Sequence, residues 1–220
     1  MIESILNIAQ DFPLIALSTL MPLIVIISIW KNRNSFDKPL TVVLWFCVFF
    51  FLSDLPLWVT SGLGIRNIRY NYIRDISFHL MIIGIYYFVL NNSFKKRMIL
   101  YMILILSIIG ITPLLLSYEA PSQLTAIHKL AIVGVVFLHF HTLISELKIT
   151  KILSYPFFWI SSGILMFSCG SVLIMLFYTY TFSIKTPAMF LFYDQFISFL
   201  IVLMFLFIGF GFFNTRKKYS

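Results

Sequence analysis

Residues Leu124–Leu147 read LTAIHKLAIVGVVFLHFHTLISEL. The stretch is long and apolar enough to cross a bilayer, yet it carries His128, Lys129, His139 and His141. Ionisable side chains in hydrocarbon are costly, so these groups should face other helices or a water-filled space. The six other apolar stretches of the chain then form the wall around this one.

Composition supports the same class. Sixty per cent of the residues are hydrophobic, 18% aromatic and 11% charged, whereas a soluble domain averages roughly 25% charged residues. The 220 residues give room for seven spans of about 20 residues each and little else. A single domain is expected, with no kinase, nucleotide-binding or DNA-binding module. The net charge of +8 is spread over short separated loops, the distribution of a topology signal rather than of a nucleic-acid surface. Cys47 and Cys169 both lie in apolar stretches and read as inert buried thiols. The N-terminal residues MIESILNIAQDF lack the basic region and cleavage site of a secretory signal, so the first helix is expected to stay.

The expected fold is an all-α integral membrane protein, a seven-transmembrane-helix bundle over residues 1–220. Its spans run over about 12–30, 39–60, 73–90, 98–117, 124–147, 156–181 and 187–213. Asp11 and Pro13 would open the first, Asp37 and Pro39 the second, Thr186 and Pro187 the seventh. Pro22, Pro56 and Pro113 fall inside spans and should loosen them, each leaving one carbonyl without its amide donor. With the N-terminus outside and the C-terminus cytoplasmic, the inner loops and tail hold 11 of the 16 Lys and Arg residues. The outer side holds Arg66, Arg69, Arg74 and Lys185, and Lys129 lies within a span. The excess of positive charge inside favours that orientation, in the inner (cytoplasmic) membrane of a bacterium.

In this topology the ionisable residues share a depth. Asp54, Asp75, His79, His128, Lys129 and Asp194 come from four spans, and most of them sit roughly 5–12 Å below the outer boundary at about 1.5 Å per residue. Asp75 and His79 are four apart and so on one face. His128, Val135, His139, Thr142 and Glu146 make one stripe, because offsets of 7, 11, 14 and 18 return to nearly the same angle. These six ionisable residues would line an outward-opening pocket, with Trp58 and Tyr193 nearby. The competing reading is of satisfied helix pairs, such as Lys129 with Asp194 or Asp54, and Asp75 with Arg74 or His79. His139 and His141, in the inner half, read as one histidine packed inside and one at the interface. Nothing in the sequence names a metal or a cofactor.

Span six holds small residues at intervals of seven, Ser161 and Ser168, Ser162 and Cys169, Gly163 and Gly170. They permit close approach of a neighbouring backbone, within the bundle or between protomers of a homo-oligomer through the Gly163 and Gly170 face. The run ISELKITKILSYPFFWISSGILMFSCGSVLIMLF, over residues 144–177, resembles the most recognisable segment of an uncharacterised family of small seven-span proteins from Bacteroidota. That segment reads Pro-[Leu/Phe]-Phe-Trp-Ile-x-Ser-Gly-Ile-Leu, followed by small residues. The match covers Glu146–Phe177, and elsewhere only the spacing is similar. Such modules occur alone or ahead of histidine-kinase domains, so the resemblance implies a sensory or accessory membrane module. It also implies an acid in the second and third spans, for which Asp54 and Asp75 stand. The seventh span reads FYDQF at residues 192–196, with Asp194 where the resemblance leads one to expect a histidine.

The favoured function is therefore a receptor-like module that binds a small or lipid-like ligand and acts through a signalling partner protein in the bilayer. The alternatives are a proton-coupled small-molecule transporter, with histidine as the titrating switch, and an intramembrane metal-dependent hydrolase. The hydrolase would need several histidines and an acid converging on one ion, and no span carries an HxxxH pair. A retinal-binding pump would need a lysine in the seventh span, which has none.

Overall fold

Asp37 and Pro39 begin the second helix as their chemistry requires. The Asp37 carboxylate accepts the Leu40 amide at 3.1 Å, and Pro39 occupies the first turn, where a missing N–H costs nothing. Equivalent local rules shape the whole chain in the computed structural model, which describes residues 10–30, 36–115, 122–145, 152–183 and 187–216. Its main helices are α1 (Pro13–Ile29), α2 (Lys38–Gly62), α3 (Ile68–Val89), α4 (Ser93–Leu115), α5 (Ser122–Ser145), α6 (Pro156–Ser183) and α7 (Pro187–Arg216). A short 3-10 turn, Ile152–Ser154, precedes α6. Among the described residues there is no strand.

Two helices start upstream of where hydropathy places them. Helix α4 begins at Ser93 because the Asn92 side chain accepts the Phe94 amide at 2.8 Å and holds the first turn, bases included. Helix α3 begins at Ile68, so the polar turn Arg69–Asp75 is helical. Gly64, at φ 67°, lets the chain reverse between α2 and α3. The side-chain amide of Asn67 donates to the hydroxyls of Thr60 at 2.8 Å and Ser61 at 3.3 Å. Asp11 does not cap α1: its N-cap is Phe12, without a side-chain capping bond. Pro22, Pro56 and Pro113 lie within continuous helices. Thr186, Glu146, Lys185, and the bases Lys31, Arg33, Lys148, Lys151, Lys217 and Lys218 lie outside the described residues.

Six helices are long and apolar enough to cross a membrane: Lys38–Gly62, Ile68–Val89, Ser93–Leu115, Gln123–Ser145, Pro156–Leu176 and Leu191–Thr215. Helix α1, with 17 residues, is a shorter apolar helix. Surface and interior are inverted relative to a soluble domain. Trp45, Leu52, Ile105, Ile108, Leu173 and Phe210 face outward, while Thr19, Asp54, His79, Lys129, His139 and Ser161 are buried. Exposed apolar surface on this scale needs an apolar solvent, so the chain has the make-up of a multi-pass membrane protein.

Contacts close a ring in the order α1, α2, α3, α5, α6, α7 and back to α1, with α4 outside it against α3. The ring is filled by aromatic side chains. Phe78 of α3 meets Phe46 and Phe50 of α2 at 5.1 Å and Phe167 of α6 at 5.6 Å, and Phe205 of α7 meets Phe50 at 5.0 Å. The closest pairing is α6 with α7. A methyl added at Gly163 would lie 2.6 Å from Cβ of Phe207, and one at Gly170 would lie 2.7 Å from Leu200. The small-residue face of α6 is thus used inside the chain. The close approach expected of Gly163 and Gly170 is made to Phe207, Met204 and Leu200 of α7.

Candidate functional site

One end of the ring opens into a cavity of about 910 Å³. Its walls come from the start of α1, the end of α2, and the beginnings of α3, α5 and α7, with Phe167 and Met175 from α6. Asp54, Asp75, His79, Lys129 and Asp194 all line it, and so do Trp58 and Tyr193. The sequence places these residues at similar depth, and the helix faces turn them towards one another.

His128 is the exception and corrects the expectation. It is buried, and its nitrogens approach two backbone carbonyls, Nδ1 to Leu124 at 2.8 Å and Nε2 to Leu106 at 3.0 Å. A neutral imidazole donates to one of these carbonyls only. The ring is turned towards α4, where Gly110 makes room: a methyl there would stand 3.3 Å from His128 Nε2 and 3.0 Å from Ile76. Tyr72 of α3 donates to the Gly110 carbonyl at 3.2 Å. His128 therefore fastens α4 to the ring, while Lys129, about 100° round the same helix, faces the cavity.

Two groups of polar side chains line the cavity. On one wall, Arg74 bonds Asp54 through Nη1 and Asp75 through Nη2, the latter at 3.0 Å. Asp54 also accepts from the Thr19 hydroxyl, and Trp58 Nε1 donates to Thr19 Oγ1 at 2.9 Å. This knot ties α1, α2 and α3 together, and its members satisfy one another. On the other wall, Lys129 is 3% exposed, and its ammonium has neither an ion pair nor a hydrogen bond among the described residues. Its neighbour is the face of Phe167, 5.3 Å away. His79 Nδ1 is buried without a partner. Asp194 is exposed at the mouth and unpaired among the described residues, with Ser198 one turn further along α7.

Arg74 and the aromatic floor of Phe50, Phe78 and Phe167 line the cavity, and Thr19 braces its wall through Asp54 and Trp58, although hydropathy alone does not single them out. The signal lay in the spacing: Phe50 is four residues before Asp54, and Phe78 stands between Asp75 and His79. The pairs Lys129 with Asp194 or Asp54 do not form, and Asp75 pairs with Arg74. Among the described residues, no three His, Cys, Asp or Glu side chains cluster as metal ligands.

Deeper in the ring, Tyr86 donates to Ser161 Oγ at 3.0 Å, and Ser161 Oγ lies 3.0 Å from His139 Nδ1. His139 Nε2 and Ser168 Oγ are buried without partners. His141 is exposed. At the opposite end, a second cavity of about 530 Å³ is lined by Asp37, Lys38, Lys96 and Tyr155 among others. Burial, and then the charge of Asp37, hold the Tyr155 hydroxyl above the ordinary phenol range. No protein-family model, curated protein or solved structure matches this chain.

Proposed function

We propose that the protein is a receptor-like or accessory membrane module of seven spans, N-terminus outside, whose large cavity binds a small ligand from the outer side and which acts through a partner protein in a bacterial inner membrane. The observation that carries this reading is the cavity itself. It holds a buried lysine whose ammonium meets only the Phe167 face and a buried histidine nitrogen without a hydrogen-bond partner, and burying such groups is costly, which marks a functional site. Two further observations support the topology. Helix α1 exposes Leu20, Ile24 and Ile27, as a lipid-facing span would, and at about 26 Å it falls within the shorter range of spanning helices. Lys38, Lys95, Lys96 and Arg97 stand at the end away from the cavity, where positive charge marks the cytoplasmic side.

The signalling part of the reading rests on the resemblance of residues 146–177 to modules that accompany histidine kinases. Its test is affinity purification from the native membrane at endogenous level. Recovery of one signalling protein, in an amount that changes when Lys129 is replaced by glutamine, would support the reading. Recovery of the bundle alone would count against a partner. A second reading, a proton-coupled carrier, draws on the deeper polar atoms. His79 Nδ1, Ser168 Oγ and His139 Nε2 are all buried and unmet, and water threading between them would make a path past the cavity floor. Uptake into proteoliposomes that follows an imposed pH gradient would favour the carrier.

A further inference from the structure

The charges of the cavity can be sorted into those already satisfied and those left over. Arg74 is held by Asp54 and Asp75. Left over are Lys129, which meets only the Phe167 face, and His79 Nδ1 at the buried end, Asp194 exposed at the mouth, and Asp75, which meets Arg74 through one oxygen and is 34% exposed. An ammonium has three donors and no acceptor, and the Phe167 face meets only its charge. What the buried end lacks is a compact acceptor, and a carboxylate can take hydrogen bonds from Lys129 and from an N–H of His79 together. The mouth has the opposite need. Asp54, Asp75 and Asp194 outnumber Arg74 and Lys129 by one negative charge, so a plain anion would enter against that balance. A plain cation would leave Lys129 as it is.

Resting on the reading of this cavity as a ligand site, we propose that it takes a small zwitterion with an apolar body, such as a free amino acid or short peptide. Its acidic group sits on Lys129 and His79, and its ammonium on Asp75 and Asp194. Phe50, Phe78 and Phe167 receive the apolar part. A volume of about 910 Å³ is at the upper end of small-molecule sites and holds more than one amino-acid residue.

Calorimetric titration of the purified protein in lipid nanodiscs tests this with three probes that share the phenylalanine side chain. Phenylalanine carries both charges, phenylalaninamide lacks the acid, and N-acetylphenylalanine lacks the ammonium. The zwitterion is expected to bind at least about tenfold more tightly than either probe, the effect of one charge-assisted hydrogen bond. In Lys129→Gln the advantage over the amide should vanish. In Asp194→Asn, an exposed position whose change should leave the fold intact, the advantage over the N-acetyl probe should shrink. Equal binding of the amide and the acid, or no saturable binding of phenylalanine, overturns the proposal. The underlying cavity reading is checked apart, by reacting a cysteine placed at Ser198 with a water-soluble thiol reagent. If the cysteine reacts but phenylalanine does not bind, the zwitterion is wrong and the open cavity stands. If the cysteine does not react, both fall.

Discussion

Two adjacent residues of α5 show how about 100° of rotation round a helix separates packing from chemistry. His128 is 1% exposed and bonded to carbonyls of α4 and α5, whereas Lys129 is 3% exposed and bonded to nothing among the described residues. Replacing His128 by alanine should lower stability by about 1–2 kcal/mol, the loss of a buried hydrogen bond plus a small void, and leave ligand affinity in the folded fraction unchanged. Replacing Lys129 by methionine should do the reverse: stability holds or rises, since an unpaired buried charge is removed, and binding is lost. Thermal unfolding and titration on the same two variants check this. Arg74 is a third kind of residue, since without it two carboxylates face each other across α2 and α3. Arg74→Met should cost about 1–3 kcal/mol, since the Arg74 side chain is 16% exposed and its Asp54 partner 10%, and more than Asp75→Asn, which leaves the Asp54 pair in place. The unfolding midpoints of the two variants decide the order.

At the scale of the element, the glycines divide by what they touch. Gly163 has Cβ of Phe207 and the Met204 carbonyl where a methyl would go, while Gly134 and Gly84 have nothing within 4 Å. Gly163→Ala should therefore destabilise the α6–α7 pair by about 1–3 kcal/mol. Gly134→Ala should be neutral or stabilise by up to about 1 kcal/mol through helix propensity. Chemical denaturation in detergent compares them. The sevenfold spacing of Gly163 and Gly170 announced a close contact, but spacing along one helix does not say which helix fills the groove, and here it is α7 of the same chain. The same limit explains His128. Periodicity placed it and His139 on one stripe, which they share, but that stripe turns towards α4 at one end and towards Ser161 at the other. The start of α2 was legible from its Asp37 cap followed by Pro39. The starts of α3 and α4 were misplaced, although Asn92 caps α4, because charged first turns hide the helix from a hydropathy reading.

For the whole molecule, seven helices follow from composition and apolar run length, because continuous apolar runs of about 20 residues satisfy their backbone in hydrocarbon as helices, whereas a barrel needs short alternating strands. The convergence of Asp54, Asp75, His79, Lys129 and Asp194 followed from counting depth along each helix. The order of the ring did not, since chain order would place α4 between α3 and α5 and the fold sets it outside. The knot of Thr19, Asp54 and Arg74 was equally hidden, because it joins three helices through side chains of ordinary type. Ligand entry, topology and the partner reading all depend on the cavity opening to the outside of the membrane. The direct measurement uses a Cys47→Ala, Cys169→Ser background with a single cysteine at Ser61, on the cavity wall, and a sister variant with the single cysteine at Lys96. Intact cells are treated with a membrane-impermeant thiol reagent. An outward-opening cavity predicts labelling at position 61 and none at position 96 until the cells are opened. Labelling at 96 in intact cells, with 61 protected until lysis, would invert the topology and place the cavity on the inner side.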